Sequence, residues 1–178
     1  MRTEEVGHRS VILGGAEVGV TPHVGSGEYR LRQVDILHDA GKSLNPALDL
    51  GQVEGGFVQG MGWLTTEELW WDDKGCLRTH APSTYKIPAC GDIPEKFDVR
   101  LYANGRNRED VVYRSKAVGE PPLMLGIAVF QALRDAVAAC SPTGVLPRFD
   151  APATAERVLM TIEALRLQTA APVQAAAQ

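Results

Sequence analysis

A chain of 178 residues with 44% hydrophobic side chains is long enough to bury the core of one ordinary domain. A formal net charge of −4, with Lys and Arg scattered along the chain, excludes the basic patch that nucleic-acid binding requires. No stretch approaches the ~20 apolar residues of a membrane span, no basic leader precedes an apolar run, and Cys76, Cys90 and Cys140 stand too far apart for a Cys-x-x-Cys site, so a cytoplasmic protein with reduced thiols and no membrane partner is predicted.

Residues 1–15 mix charges, a histidine and a glycine pair without periodicity and are expected to be an ill-defined leader. From Ala16 two alternating segments flank a Gly-rich turn at Gly25-Ser-Gly27, which predicts a β-hairpin ending at Leu37. Gly41, Ser43, Asn45 and Pro46 punctuate a loop, and a helix is expected from near Ala47, with Val53, Phe57, Met61 and Leu64 on its apolar face. A possible strand to Trp71, a turn at Asp72-Asp-Lys-Gly75 and a short strand over Cys76 to His80 follow. The prolines bounding Pro82-Ser-Thr-Tyr-Lys-Ile-Pro88 demand an extended or looped segment. Phe97, Val99 and Leu101 mark another strand. An apolar helix is expected over Leu123 to Val137, its start tolerating Pro121 and Pro122 because the first N–H groups of a helix lack partners. Val158, Leu159, Ile162 and Leu165 mark a last helix, and 168–178 reads as a disordered tail. The fold class that results is α+β, with mixed helices and short, mainly antiparallel strands, over a domain spanning 16–167.

Two places carry chemistry. Glu120 stands between Gly119 and two prolines, so its backbone is constrained from both sides, away from the α region, while Gly119 leaves space for a close approach. At the mouth of an apolar helix its surroundings should be dry, which suits a general base. The residue pattern alone also allows, and favours, an acidic side chain that only stabilises the helix N-terminus. The second place is Gly51 to Gly62, where five glycines fall in twelve residues. Each weakens a helix by roughly 1 kcal/mol, so something must lie against this one. Gln52 and Gln59, seven apart, share a face and offer amides that both donate and accept hydrogen bonds to a heterocycle, though solvated glutamines beside a tight helix contact fit as well.

Ser115-Lys-Ala-Val-Gly-Glu120-Pro-Pro-Leu-Met-Leu-Gly126 resembles the signature of the molybdopterin-binding subunit of xanthine dehydrogenases. The stretch from Asp35 to Gly60 and the block Pro82 to Pro88 resemble two further blocks of that subunit, in order, so that the likeness covers roughly Glu17 to Ala139. The resemblance implies Glu120 as the base next to molybdenum, Gln52 as a hydrogen-bond partner of the pterin, and Gly119 as a cofactor-binding position. It further implies a molybdenum hydroxylase that oxidises xanthine or hypoxanthine with water as the oxygen source, and a metal held by the pterin rather than by protein ligands. Electrons would pass through 2Fe-2S clusters and FAD in partner domains to NAD+; this chain carries neither the cluster cysteine spacing nor a dinucleotide fingerprint.

The family's subunit is several times longer, and most pterin contacts and the substrate-holding residues lie upstream of the aligned part. Two expectations follow: the C-terminal part of a purine hydroxylase, active only with the rest of its subunit and the Fe-S/FAD partner, or an inactive orphan fragment or noncatalytic binding module. The leader mildly favours truncation. His8, His23, His38 and His80 lack metal-ligand spacing; Trp63, Trp70 and Trp71 read as core or interface residues, Glu67 and Glu68 as solvated or capping, and Lys116 as one half of a salt bridge.

Overall fold

The structure, a computed structural model, describes residues 9–13, 15–141 and 146–170. The alternating segments form β2 (Ala16–Pro22) and β3 (Tyr29–His38), paired antiparallel as the expected hairpin. Ala16, Val18 and Val20 turn inward, together with Leu31, Val34 and Ile36. The inward set of β3 steps by three between Leu31 and Val34, which strict alternation forbids. A bulge resolves it: the register passes from Gly19↔Gln33 to Val20↔Leu31, and Arg32 is the extra residue.

Residues 9–13, expected as leader, are instead strand β1 (Arg9–Leu13), antiparallel to β2. The free edge of a hairpin offers a ladder of backbone groups, and pairing there needs no strong side-chain signal. The rest of the expected leader, 1–8 and 14, lies outside the described residues. Strand β4 (Lys96–Leu101) adds to the other edge, parallel to β3, giving the order β1-β2-β3-β4. The one parallel pair follows from a helix crossing between β3 and β4. The sheet is therefore mainly antiparallel and the class α+β, as the sequence predicts.

That crossing helix is α1 (Pro46–Thr65), capped by the Asn45 side chain, which accepts from the Leu48 N–H at 3.3 Å, with Pro46 in the first turn. Val53, Phe57 and Met61 are buried, and the Phe57 ring lies 5.4 Å from that of Phe97 on β4. The expected strands on either side of Asp72 reduce to a single bridge, Trp71↔Leu77. The Asp72 carboxylate accepts from the N–H groups of Lys74 and Cys76 and holds a turn too tight for a longer ladder.

The helix expected over Leu123 to Val137 is two pieces, a 3-10 segment at Pro121–Gly126 and then α2 (Ile127–Ala138), whose inner face of Ala128, Val129, Ala132, Leu133, Ala136 and Val137 covers β1 and β2. Helix α3 (Ala155–Ala170) buries Val158, Ile162 and Leu165. It runs through 168–170, assigned to the tail in the sequence; 171–178 lies outside the described residues. Among the described residues no helix is long and apolar enough to cross a membrane.

Candidate functional site

The three motif blocks of the sequence meet on α1. Toward its middle, a Cβ on Gly56 would come within 2.9 Å of the Pro122 Cβ, and one on Gly60 would run into the carbonyl of Leu123. Gly126 in turn faces the backbone of Gly60 and Met61. Gly56 and Gly60 therefore admit the Pro121–Gly126 segment at backbone distance, a covering contact for that side of the helix. At the C-terminal end Gly62 abuts the Pro88 ring, and the Tyr85 hydroxyl donates to the Glu67 carboxylate at 2.5 Å. That carboxylate holds the Tyr85 hydroxyl above the usual phenol range.

Upstream of Glu120 the chain is stitched to the loop after β3. The Lys42 N–H donates to the Arg114 carbonyl at 3.0 Å and the Lys116 N–H to the Ala40 carbonyl at 2.9 Å. Gly41, at φ +62°, belongs here because a Cβ would sit 2.6 Å from the Arg114 carbonyl oxygen. Tyr113 and Arg114 both adopt positive φ (50° and 59°), a strained pair for side chains other than glycine. The Arg114 guanidinium compensates by donating to the Arg108 carbonyl at 3.1 Å, and the Asn107 amide donates to the Ser115 carbonyl at 3.1 Å.

Asp39 closes this seam. One carboxylate oxygen accepts from the Gly41 N–H at 2.8 Å and the other from the Lys116 ammonium at 2.5 Å. These bonds, the lysine's first, hold the Asp39 carboxyl below the usual carboxylate range. Next to it the His38 ring is pushed below the ordinary imidazole value by burial, and its Nε2 is buried without a hydrogen-bond partner.

Past the seam, Val118 is buried while Gly119 and Glu120 are exposed. The predicted site residues do come together: a Cβ on Gly119 would meet only the Gln52 side-chain oxygen, at 3.8 Å, and Glu120 follows directly. Two details differ from expectation. Glu120 sits at φ −98°, ψ −41°, in the helical region despite the proline after it, because its carbonyl accepts the first 3-10 bond from the Leu123 N–H at 3.1 Å. Its surroundings are also not dry, since burying Pro122, Leu125 and Gly126 turns Glu120 outward. Gln52 and Gln59 are exposed on one side of α1, and the Gln52 amide makes no hydrogen bond among the described residues. Gly51 and Gly55 beside it face open space. An unpaired amide flanked by residues without side chains is a surface that a flat heterocycle with donors and acceptors fits.

Other expectations resolve plainly. Trp63, Trp70 and Trp71 are 52–54% exposed and so are not core. Neither glutamate caps a helix: Glu67 binds Tyr85, and Glu68 pairs with Arg157 at 3.4 Å. Lys116 forms the salt bridge expected of it. Among the described residues no group of three His, Cys, Asp or Glu side chains gathers as a metal site would. The sequence reading passed over Asp39 and Asn107. For Asp39 a signal exists, since Asp-Ala-Gly is the pattern of a side chain accepting from the N–H two residues on.

Residues 4–94 match the model of a molybdopterin cofactor-binding domain. The chain belongs to that family. It is 49% identical over 136 residues to xanthine dehydrogenase/oxidase of Gallus gallus, a match covering 75% of this chain and 10% of the relative. Xanthine dehydrogenase of Oryza sativa subsp. japonica is 47% identical over 145 residues, with 76% and 10% covered. Among solved structures, quinoline 2-oxidoreductase from Pseudomonas putida 86 superposes with a TM-score of 0.74 at 28% identity, covering 83% of this chain and 18% of that one. The chain is thus a molybdenum-hydroxylase segment spanning about a tenth of the length of the curated relatives it matches. The family-model match contains Gln52 and stops short of Glu120.

Proposed function

We propose that the chain furnishes the general base and one pterin contact of a molybdenum hydroxylase that oxidises xanthine or hypoxanthine in the cytoplasm, acting with the remainder of a molybdopterin-binding subunit. The observation that carries this reading is the approach of Gln52 to Gly119 immediately beside Glu120, from positions more than sixty residues apart in the chain. Bound molybdopterin supplies the two-electron oxidation, with water as the oxygen source. Glu120 accepts a proton at its carboxylate from the group that attacks the substrate carbon. The Gln52 amide donates to and accepts from the pterin edge, and Gly119 lets the cofactor approach the backbone. The exposure of Glu120 in this chain fits a site whose other wall comes from residues outside it; closing that wall supplies the dry surroundings in which a carboxylate becomes a stronger base. Onward transfer of the electrons to NAD+ would fall to 2Fe-2S and FAD domains outside this chain. Higher identity to xanthine dehydrogenases than to the quinoline enzyme supports a purine substrate.

The test is co-expression with the absent portions of the subunit and its Fe-S/FAD partner, followed by xanthine turnover and molybdenum content. Glu120→Ala is expected to lower turnover by ~10²–10⁴-fold, the range for losing a positioned base, with molybdenum content retained. Unchanged turnover in that variant removes the base assignment. Absence of turnover in the assembled unsubstituted protein favours a noncatalytic binding role.

A further inference from the structure

We propose that Asp39 and Lys116 form a positioning lock for Glu120, one that sets where the base stands without touching the reacting atoms. The inference rests on Glu120 being the base, and deepens that reading.

The segment carrying Glu120 is held at both ends and bare between them. Downstream, Pro122 is seated on Gly56 and the Leu123 N–H binds the Glu120 carbonyl. Upstream, the last backbone bond is that of the Lys116 N–H to Ala40. From Ala117 to Glu120 no N–H makes a hydrogen bond among the described residues, and the buried Val118 is the one inward anchor there. The direction in which this short span leaves the seam is therefore fixed chiefly at Lys116. Its side chain reaches Asp39 at 2.5 Å, and the same carboxylate holds the Gly41 N–H at 2.8 Å, which aims the carboxylate and sets the distance between the two loops. Gly105 leaves the space that Asp39 needs, since a Cβ there would collide with the carboxylate.

An ion pair with its side chains 36% and 41% exposed adds little to global stability. Its consequence is local: it joins the end of β3, a rigid element, to the fourth residue before Glu120. Precise placement of a catalytic group depends on such support, because a displacement of about 1 Å is enough to cost ~10²-fold in rate.

The test uses the full 178-residue chain and 15N relaxation, which needs no cofactor. Asp39→Asn keeps an acceptor for the Gly41 N–H and removes only the charge facing Lys116. Backbone order parameters at Val118 to Glu120 are expected to fall from about 0.85 to below about 0.6, the change from rigid to flexible backbone, while those of β2 and β3 hold. The Asp39→Asn/Lys116→Met double variant is expected to match either single variant. In the assembled enzyme Asp39→Asn lowers kcat with KM for xanthine unchanged. Order parameters unmoved by Asp39→Asn, a loss spread equally over β2 and β3, or additive effects in the double variant each overturn the lock. Full turnover in Glu120→Ala instead removes the base assignment, and the relaxation data still decide the lock separately.

Discussion

On the inner side of α1, Gly56 and Gly60 admit the Pro121–Gly126 segment at a distance that no side chain would permit, whereas on the outer side Gly51 and Gly55 face open space. The residue type is the same and the helical penalty is the same, roughly 1 kcal/mol each relative to alanine. Inside, the penalty is offset by close backbone packing that buries Pro122, Leu125 and Gly126. Outside, nothing among the described residues offsets it, and Gln52 stands there with an unpaired amide. A glycine count therefore states that a helix is weakened and does not state why. The contacts on each side separate packing from a surface left clear for something else.

The sharpest way to break this contrast is Gly60→Ala. Its Cβ is directed at the Leu123 backbone, which cannot rotate away as a flexible side chain would. The 3-10 segment must shift and with it the burial of Leu125, so a loss on the order of 3 kcal/mol is expected, read from the midpoint and slope of urea unfolding. A loss below ~1 kcal/mol would show that the segment can move freely, and the packing account of the inner glycines would fail.

Much of this was legible in the sequence because it rests on periodicity and punctuation. Val53, Phe57 and Met61 mark the inner face of α1 by spacing alone, and Asn45-Pro46 marks its start. Gln52 and Gly119 were singled out by a resemblance rather than by spacing, and their proximity, with a Cβ on Gly119 lying 3.8 Å from the Gln52 side-chain oxygen, depends on packing between segments distant in sequence. What could not be read depends on partners distant in sequence. Strand β1 exists because β2 offers an edge, and its own residues, Arg-Ser-Val-Ile-Leu, carry no decisive pattern. The inward burial of both Leu31 and Val34 breaks strict alternation, a visible trace of the bulge that only pairing with β2 explains. The helical backbone of Glu120 overrides the bias from its following proline because a hydrogen bond to Leu123 rewards it. The exposure of the same residue was missed because an apolar sequence around a carboxylate does not say which way the carboxylate turns.

Gly55→Ala probes the other half of the comparison and has the opposite sign. A methyl group there meets nothing within 4 Å, and the helix gains the backbone entropy that glycine forfeits. Stability is expected to rise by about 0.5–1 kcal/mol in the same urea experiment. A loss instead would mean that the outer side is already in contact within this chain.

The smallest effect lies where β3 meets the first turn of α1, and it tests the inward–outward contrast through protons rather than glycines. Burial lowers the affinity of the folded His38 ring for a proton; Lys116 acts in the same direction, while Asp39 and Asp49 oppose it. The folded value is therefore below the unfolded one, near 6.5. Above that pH neither state is charged and the stability is fully present. As the pH falls through 6.5 the unfolded chain takes up the proton first, so stability declines until the folded ring is protonated too. One full proton of difference corresponds to ~1.4 kcal/mol per pH unit, and a half-exposed ring contributes well under that. Subtracting the urea-derived stability of His38→Gln from that of the unsubstituted chain, between pH 7 and 5, isolates this slope from the other histidines. A positive slope of stability with pH is expected in the difference. A flat difference would mean that the orphaned Nε2 reaches water, and that the corner beside the Asp39–Lys116 pair is as open as the outer side of α1.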